Sequence, residues 1–311
     1  MSNPNKPPYP PPAPPPGLPP TPLPDIPLSG IFILLYLLYI PLHLFFSTHS
    51  NPHSKPILTI ILTIFPSLRI ISLSLRISWS LNPSNLQLEI ASTALTFAGV
   101  LLLYILNLLV SRRYVRDYAI SGYRPIVKGI FRSLIGIVLI CLIMGVIVSV
   151  NVYFVSPKDK NVLRECRDVL LVSGTILAVL AFTPVIMVVL VGCCCKAGDV
   201  VGIEKKRYRA RTELLVGTAG LLSLEGGFRV GMVYEARLVG EEEVKWWEGK
   251  AAFYCFVYLV EVVVVYWVLA ARFDGRFRKR RIEGEGLGVV RGRRGWRGRV
   301  NTQEEVFGDP G

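Results

Sequence analysis

The sequence has few of the groups that catalysis and metal binding require. Its three histidines, His43, His49 and His53, are too scattered to predict a metal site. The 311 residues contain no CxxC pair, no HExxH motif, no nucleotide-binding loop and no Ser/His/Asp combination. We therefore expect no catalytic residue, no bound metal and no cofactor, and we interpret the chain as a protein that is not an enzyme.

Charged residues are also scarce. They make up 18% of the chain, whereas soluble proteins usually carry about 25%, and hydrophobic residues make up 51%. A helix needs about 20 apolar residues to cross the hydrocarbon core of a bilayer. Seven stretches meet this requirement: Pro27–Ser47, Pro56–Trp79, Leu86–Val110, Gly129–Val155, Leu170–Gly192, Glu213–Tyr234 and Ala251–Arg272. The sequence thus predicts an all-α integral membrane bundle of seven transmembrane helices.

The distribution of lysine and arginine predicts how this bundle is oriented. Residues 1–26 hold Lys6 as their only basic residue and show no signal-peptide cleavage site, so we expect the first span to be retained. Basic residues are concentrated in the loops 111–128 and 193–212 and in the C-terminal tail, whereas the loop 80–85 has no charge. Basic loops stay in the cytosol, which puts the N-terminus outside and the C-terminus inside. The net charge of +13 then needs no nucleic acid to explain it.

The two ends of the chain differ in composition from the apolar stretches between them. Residues 1–26 are rich in proline, which favours extended structure and predicts a disordered extracellular tail. Residues 27–273 form the predicted seven-helix membrane domain. Residues 274–311 are rich in arginine and glycine and are predicted to form a disordered cytosolic tail beside anionic lipid. RNA binding by this basic tract is the alternative.

Ionisable residues interrupt the apolar stretches, and they are the strongest functional signal in the sequence. They are Arg69, Arg76, Glu89, Glu225, Arg229 and Glu261. A charge at the centre of a bilayer costs roughly 2.5–3.5 kcal/mol, so we expect these side chains to face each other or a water-filled cavity. One interpretation is that they pair to fix helix packing and bind nothing. The other is that they line a ligand or substrate cavity.

Sequence spacing predicts which of these charges meet. Arg69 and Arg76 are seven residues apart and therefore share one face of a helix. Glu89 is predicted at a suitable depth to pair with Arg76. Glu225 and Arg229 are four residues apart with the acid first, which is the favourable order for an ion pair within one helix.

Two short motifs in the second half of the chain also predict local structure. Gly227 and Gly231 form a GxxxG pair, which permits close approach of a neighbouring helix. Cys193, Cys194 and Cys195 are predicted where the fifth span meets the cytosol. Juxtamembrane cysteines are candidates for reversible palmitoylation, and three reduced thiols at a helix end are the alternative.

Several stretches resemble a fungal seven-span family of unknown function that is usually labelled family C-like G-protein-coupled receptor. They are LRIISLSLRISW (68–79), GVLLLYILNLLVSRR (99–113), EKKRYRART (204–212), GGFRVG (226–231) and AAFYCFVYLVEVVVVYWVLAARFDGRF (251–277). The resemblance implies a multi-pass fungal membrane protein with Arg69, Arg76, Arg229 and Glu261 in the family pattern. The chain is also similar to the fungal lipid-translocating exporters, which share the seven-span plan and a glutamate in the last span.

Two functions follow as expectations from the charges and the resemblance. The first is a receptor-like protein that binds a small or lipidic ligand among spans two, three, six and seven. Its basic loops 111–128 and 193–212 would then face a cytosolic signalling partner. The alternative is a transporter or exporter of lipid or of a small solute. We expect membrane lipid as a partner, the plasma membrane as the location, and no nucleic acid.

Overall fold

The computed structural model describes residues 8–9, 14–50, 56–118, 124–156, 159–194, 203–235 and 245–271. These residues form helices and turns, with no strand among them. The helices are α1 (Pro22–Ser50), α2 (Pro56–Leu81), α3 (Leu86–Tyr118), α4 (Arg124–Asn151), α5 (Lys160–Cys194), α6 (Ile203–Tyr234) and α7 (Lys250–Ala270), and a short 3-10 turn at Trp246–Glu248 precedes α7. The predicted cytosolic tail, 274–311, lies outside the described residues.

Six of these helices, α1 to α5 and α7, are long and apolar enough to cross a membrane. The chain is therefore a multi-pass helical membrane protein. The helix α6 covers the sixth predicted stretch but is not among the six. Its first residues are basic, and Glu225 and Arg229 interrupt its apolar part.

Several helices extend beyond the predicted apolar stretches. The helix α3 continues to Tyr118 and α6 already begins at Ile203, so parts of the predicted loops 111–128 and 193–212 are helical. Lysine and arginine are good helix formers, and a helix therefore need not end where its hydrophobic stretch does. The helix α1 likewise begins at Pro22, inside the predicted N-terminal tail.

The helices differ in how much of their surface is buried. On α3 and α7 many large side chains are buried, for example Leu101 and Val265. On α4, by contrast, Ile140, Ile143 and Ile147 are exposed. Exposed aliphatic side chains on a membrane-spanning helix face lipid at no cost. The helices α3 and α7 thus contribute most to the interior, and α4 lies at the edge.

Close packing of α6 occurs one residue before the predicted GxxxG motif. A Cβ added at Gly226 would lie 2.9 Å from the Tyr104 hydroxyl oxygen and 3.4 Å from the Ala178 Cα atom. A Cβ at Gly227 or Gly231 would meet nothing within 4 Å. Among the described residues no helix therefore approaches Gly227 or Gly231 closely, and the predicted close approach at this pair is wrong.

The last helix, α7, is not uniform along its length. Residues Tyr254–Leu259 form a π-helical segment between α-helical turns. Such wide turns interrupt the regular register of a helix and are frequent at functional sites. This segment carries Tyr254 and Tyr258, and Glu261 follows it; all three side chains are buried.

Candidate functional site

Four of the predicted charges come together in the interior of the bundle, in what we call the central cluster: Arg69 of α2, Glu225 and Arg229 of α6, and Glu261 of α7. The Arg69 Nη2 atom donates directly to Glu261 Oε1. The Arg229 Nη2 atom lies 2.9 Å from Glu225 Oε1 and 3.6 Å from Glu261 Oε1. Three of the four residues are fully buried, and the Arg229 side chain is 18% exposed. Ion pairs therefore connect α2, α7 and α6.

Neighbouring groups from α1, α2, α3 and α7 hold the Arg69 guanidinium in place. Its Nη1 atom donates to the Thr96 carbonyl oxygen at 2.9 Å. The ring centroids of Phe65 and Tyr258 each lie 5.5 Å from Arg69 Cζ, a distance that permits cation–π attraction. The Tyr36 hydroxyl donates to the second oxygen of Glu261 at 3.4 Å.

A glycine makes room for this guanidinium on α3. A Cβ added at Gly99 would lie 2.6 Å from Arg69 Cζ and 2.8 Å from its Nη1 atom. Real Cβ atoms do not approach other atoms this closely, so any side chain at this position would displace the arginine. Gly99 is thus part of the site, although its sequence context gives no signal of that role.

Three buried polar atoms of the central cluster have no hydrogen-bond partner among the described residues. They are Arg69 Nε, Glu225 Oε2 and Arg229 Nη2. The last of these is close to two carboxylates but lacks hydrogen-bonding geometry to either. Leaving a buried polar group without a partner costs about 1–3 kcal/mol, so such groups in a folded protein call for an explanation. Two of them, Arg69 Nε and Arg229 Nη2, are donors that the described residues do not use, whereas the Glu225 carboxyl also contacts that of Glu261.

A second group of charges lies nearer the end of the bundle where α1 and α7 begin. We call Asp25, Arg76, Lys250 and Tyr254 the Asp25 cluster. The buried Asp25 Oδ1 atom accepts from Arg76 Nε at 3.1 Å and from the Tyr254 hydroxyl at 2.9 Å. Its Oδ2 atom lies 2.5 Å from Lys250 Nζ. This carboxylate is thus surrounded by donors from α2 and α7.

The partner of Arg76 is therefore Asp25, and the predicted pair of Arg76 with Glu89 is wrong. The predicted proline-rich tail, 1–26, includes Asp25, because three prolines surround it and the apolar stretch starts after it. In the structure α1 begins at Pro22 and turns Asp25 toward α2 and α7. The acid that balances Arg76 comes from a segment that composition alone assigns to disorder.

Glu89 instead connects the beginning of α3 to the turn that follows α4. The Tyr153 hydroxyl donates to Glu89 Oε1 at 3.0 Å, and both side chains are buried. Burial, together with the neighbouring Glu89 carboxylate, raises the pKa of Tyr153 above its ordinary value. The phenol therefore stays protonated and remains the donor in this bond.

Hydroxyl groups and two tyrosine rings lie between the two clusters in the interior of the bundle. The Thr96 hydroxyl lies 2.8 Å from the Ser72 hydroxyl and 3.3 Å from that of Tyr258. The ring centroid of Tyr258 lies 5.7 Å from that of Tyr254 in the Asp25 cluster. Hydroxyl groups of α2, α3 and α7 therefore contact one another beside the central cluster, and an aromatic contact continues from Tyr258 to the Asp25 cluster.

Two pockets lie elsewhere in the bundle. One is a cavity of about 10 Å³ between α3, α6 and α7, lined in part by Asn107 and Thr218, with room for about one water molecule. The other is an open groove beside Trp267 of α7. Neither is lined by a residue of the central cluster. The charged side chains of that cluster contact one another.

The structure describes only part of the predicted cysteine site. Cys193 is exposed at the end of α5, whereas the Cys194 side chain and all of Cys195 lie outside the described residues. Palmitoylation of these cysteines stays a prediction. Within the described residues, no three histidine, cysteine, aspartate or glutamate side chains are grouped as a metal site would require.

Comparison with known proteins adds no relative. No family model, no curated protein and no solved structure matches this chain. The resemblance to the fungal seven-span family accordingly stays a prediction that is carried by the sequence stretches quoted above.

Proposed function

We propose that the chain is a receptor-like membrane protein in which α6 also spans the membrane, beside the six other helices. Its N-terminus would lie outside. The interior packing of α6 supports this topology, because Leu214, Leu215 and Leu222 are buried. Its two charges, Glu225 and Arg229, pair with each other and approach Glu261. Charges that are paired inside the bundle do not face lipid, so they do not prevent α6 from spanning the membrane.

The unused hydrogen-bonding capacity of the central cluster is the observation that carries a ligand-binding role. A small or lipidic ligand with a polar group would enter among α2, α3, α6 and α7 and accept hydrogen bonds from Arg69 Nε and Arg229 Nη2. Because the same side chains hold α6 and α7 to α2, such a ligand would change how these helices are held together. No step of this role is catalytic.

The cytosolic partner would bind at the opposite end of the bundle from the Asp25 cluster. The described parts of the basic segments 111–128 and 193–212, which include the end of α3 and the beginning of α6, lie at that end. An acidic surface on a signalling protein fits their charge. The plasma membrane is the location that this role implies.

The alternative is a lipid or small-solute exporter of the fungal lipid-translocating type. The hydroxyl groups and rings that lie between the Asp25 cluster and the central cluster, among them Thr96 and Tyr258, favour it. Polar residues that face the interior of a membrane bundle often mark a substrate path. The two roles differ in whether a molecule crosses the bilayer.

A pair of assays on one preparation separates the two roles. The purified protein is reconstituted in liposomes, and nucleotide exchange is measured on a panel of purified heterotrimeric G proteins. Glu261→Gln removes the charge that Arg69 and Arg229 share, so the receptor role predicts a higher basal exchange rate. Glu235→Gln is the matched control, because Glu235 is exposed at the other end of α6, away from the basic segments, and pairs only with Lys245 among the described residues.

The same liposomes, without any G protein, are tested for translocation of a fluorescent phospholipid with an impermeant quencher outside. Translocation in the absence of exchange would favour the exporter and contradict the receptor role. Exchange that rises in Glu261→Gln, with no translocation, supports the receptor. A protein that does neither contradicts both.

A further inference from the structure

The Asp25 cluster also contacts a stretch of main chain that precedes α1. Within residues 14–21, the Leu18 amide donates to the Pro15 carbonyl at 2.9 Å, which closes a turn. Gly17 and Leu18 both have left-handed backbone conformations, with φ of 75° and 62°. Gly17 and Pro20 are buried. This proline-rich stretch is therefore folded against the helices.

The turn is held by a buried arginine that recognises main-chain atoms. The Arg76 Nη2 atom donates to the Gly17 carbonyl at 3.2 Å and to the Leu18 carbonyl at 3.4 Å. Arg76 is only 3% exposed, and its Nε atom is already bound to Asp25. A guanidinium only donates, so its Nη2 atom suits peptide carbonyls, which only accept. This atom also lies 3.1 Å from Asp25 Oδ1.

The same site requires glycine at one position. A Cβ added at Gly17 would lie 2.5 Å from Phe253 Cγ and 2.8 Å from its Cβ atom. The Phe253 ring cannot move away easily, because it is buried and lies 4.6 Å from Arg76 Cζ. A left-handed φ also disfavours a side chain at this position. At the far end of the stretch, Lys250 Nζ donates to the Thr21 hydroxyl at 2.5 Å.

We propose that this end of the bundle is a peptide-binding site and that residues 14–21 of the same chain are its tethered occupant. The ligand class is a proline-rich peptide that contains a glycine. The glycine lies against Phe253, and its carbonyl and that of the following residue accept hydrogen bonds from Arg76. This site is distinct from the central cluster. The inference goes beyond the proposed function and does not rest on it, since it makes no claim about signalling or transport.

A tether sets the conditions under which the site can be tested. Residues 14–21 continue directly into α1, and a segment tethered so closely acts at an effective concentration of the order of millimolar. A free peptide at micromolar concentration therefore competes poorly with the tethered copy. Weakening only the tethered copy exposes the site while Arg76, Lys250 and Phe253 stay intact.

The experiment uses the full chain in lipid nanodiscs. Two variants, Gly17→Val and Gly17→Ala, place a side chain against Phe253, and Gly30→Val is the matched control, because a Cβ at Gly30 would meet nothing within 4 Å. The probe is a fluorescent synthetic peptide with the sequence of residues 8–21, and its binding is followed by fluorescence anisotropy. We expect at least about tenfold tighter binding to the Gly17 variants than to the wild type or the control.

A second peptide, in which valine replaces the glycine, tests the requirement for glycine. We expect it to bind the Gly17→Ala protein at least about tenfold more weakly than the natural peptide, since it brings the same clash with it. Equal binding of the two peptides would overturn the inference. Equal binding of the natural peptide to the wild type and to whichever Gly17 variant keeps its helical circular dichroism would overturn it as well.

Discussion

Arg69 and Arg76 are the same residue type on one face of α2, yet the structure surrounds them differently. Arg76 donates to a carboxylate, a phenol and two peptide carbonyls, and the N-terminal segment covers it. Arg69 donates to Glu261 and to one carbonyl, and its Nε atom has no partner among the described residues. The first arginine anchors the N-terminal segment through its Nε and Nη2 atoms, whereas the second belongs to a cluster with an unpaired Nε atom.

Depth in the bundle explains this difference. Toward the end of the helices, turns and loop segments bring main-chain carbonyls within reach of Arg76. Deep in the bundle the backbone carbonyls already accept within their own helices, so Arg69 reaches only the Thr96 carbonyl and otherwise depends on side chains. A charge there is satisfied only as far as the neighbouring helices supply partners, and a ligand can supply the rest.

The largest effect is expected from breaking the central cluster. Arg69→Met leaves Glu261 buried, with Arg229 3.6 Å away as its remaining cation. Removing one partner of a buried ion pair costs about 3–5 kcal/mol. The free energy of unfolding in mixed micelles, followed by helical circular dichroism, measures this loss. A loss below about 1 kcal/mol, the size typical of an exposed pair, would contradict the buried pairing.

A smaller loss is expected from Arg76→Met. The Asp25 carboxylate keeps Lys250 at 2.5 Å and the Tyr254 hydroxyl at 2.9 Å, so it stays charged and paired. The cost is then that of lost hydrogen bonds to a charged group, about 1.5–3 kcal/mol. The same unfolding titration compares the two variants. If Arg76→Met proved more destabilising than Arg69→Met, the distinction between the two arginines would fail.

Replacement of Gly99 tests the space that the central cluster needs. Gly99→Ala puts a methyl group against the Arg69 guanidinium, and the resulting overpacking should cost at least about 1 kcal/mol. Gly136→Ala on α4 is the matched control, because a Cβ there would meet nothing within 4 Å. The control should gain up to about 1 kcal/mol, since alanine favours a helix over glycine. Two shifts of the same sign would count against the close approach at Gly99.

The smallest effect is expected where hydroxyl groups lie between the two clusters. Thr96→Val keeps the shape of the side chain and removes its bonds to Ser72 and Tyr258. Hydrogen bonds between helices in a membrane contribute about 0.6 kcal/mol on average. The unfolding titration should therefore show a loss of about this size. A loss as large as that of Arg69→Met would make the hydroxyl groups, and not the ion pairs, the main connection.

Much of this arrangement can be predicted from the sequence, because hydrophobic stretches and the charges within them are local properties. The apolar stretches predict where the helices lie, and the i,i+4 spacing predicts the pair of Glu225 and Arg229. Which helices meet depends on their rotation and depth, and no local pattern encodes these. The pairing of Arg69 with Glu261 therefore stays open at the level of sequence.

The errors have equally specific causes. Proline dominates the surroundings of Asp25 and predicts a disordered tail there. The sequence therefore favours Glu89 as the partner of Arg76, whereas the structure shows Asp25. The apolar stretches end before α3 does and begin after α6 does, because hydropathy marks the hydrocarbon boundary and not the end of a helix. Gly99 and Gly17 lie against side chains that are distant in sequence, Arg69 and Phe253, and no local pattern reveals these contacts.

A double-mutant cycle between Arg69 and Glu261 tests the central claim, that a buried ion pair joins α2 to α7, most directly. The free energy of unfolding is measured for the wild type, Arg69→Met, Glu261→Gln and the double variant under the same conditions. Residues in direct contact show an interaction energy of about 0.5–3 kcal/mol, and we expect a value in the upper half of that range. Additive losses, with an interaction energy below about 0.5 kcal/mol, would show that the two residues do not form the pair.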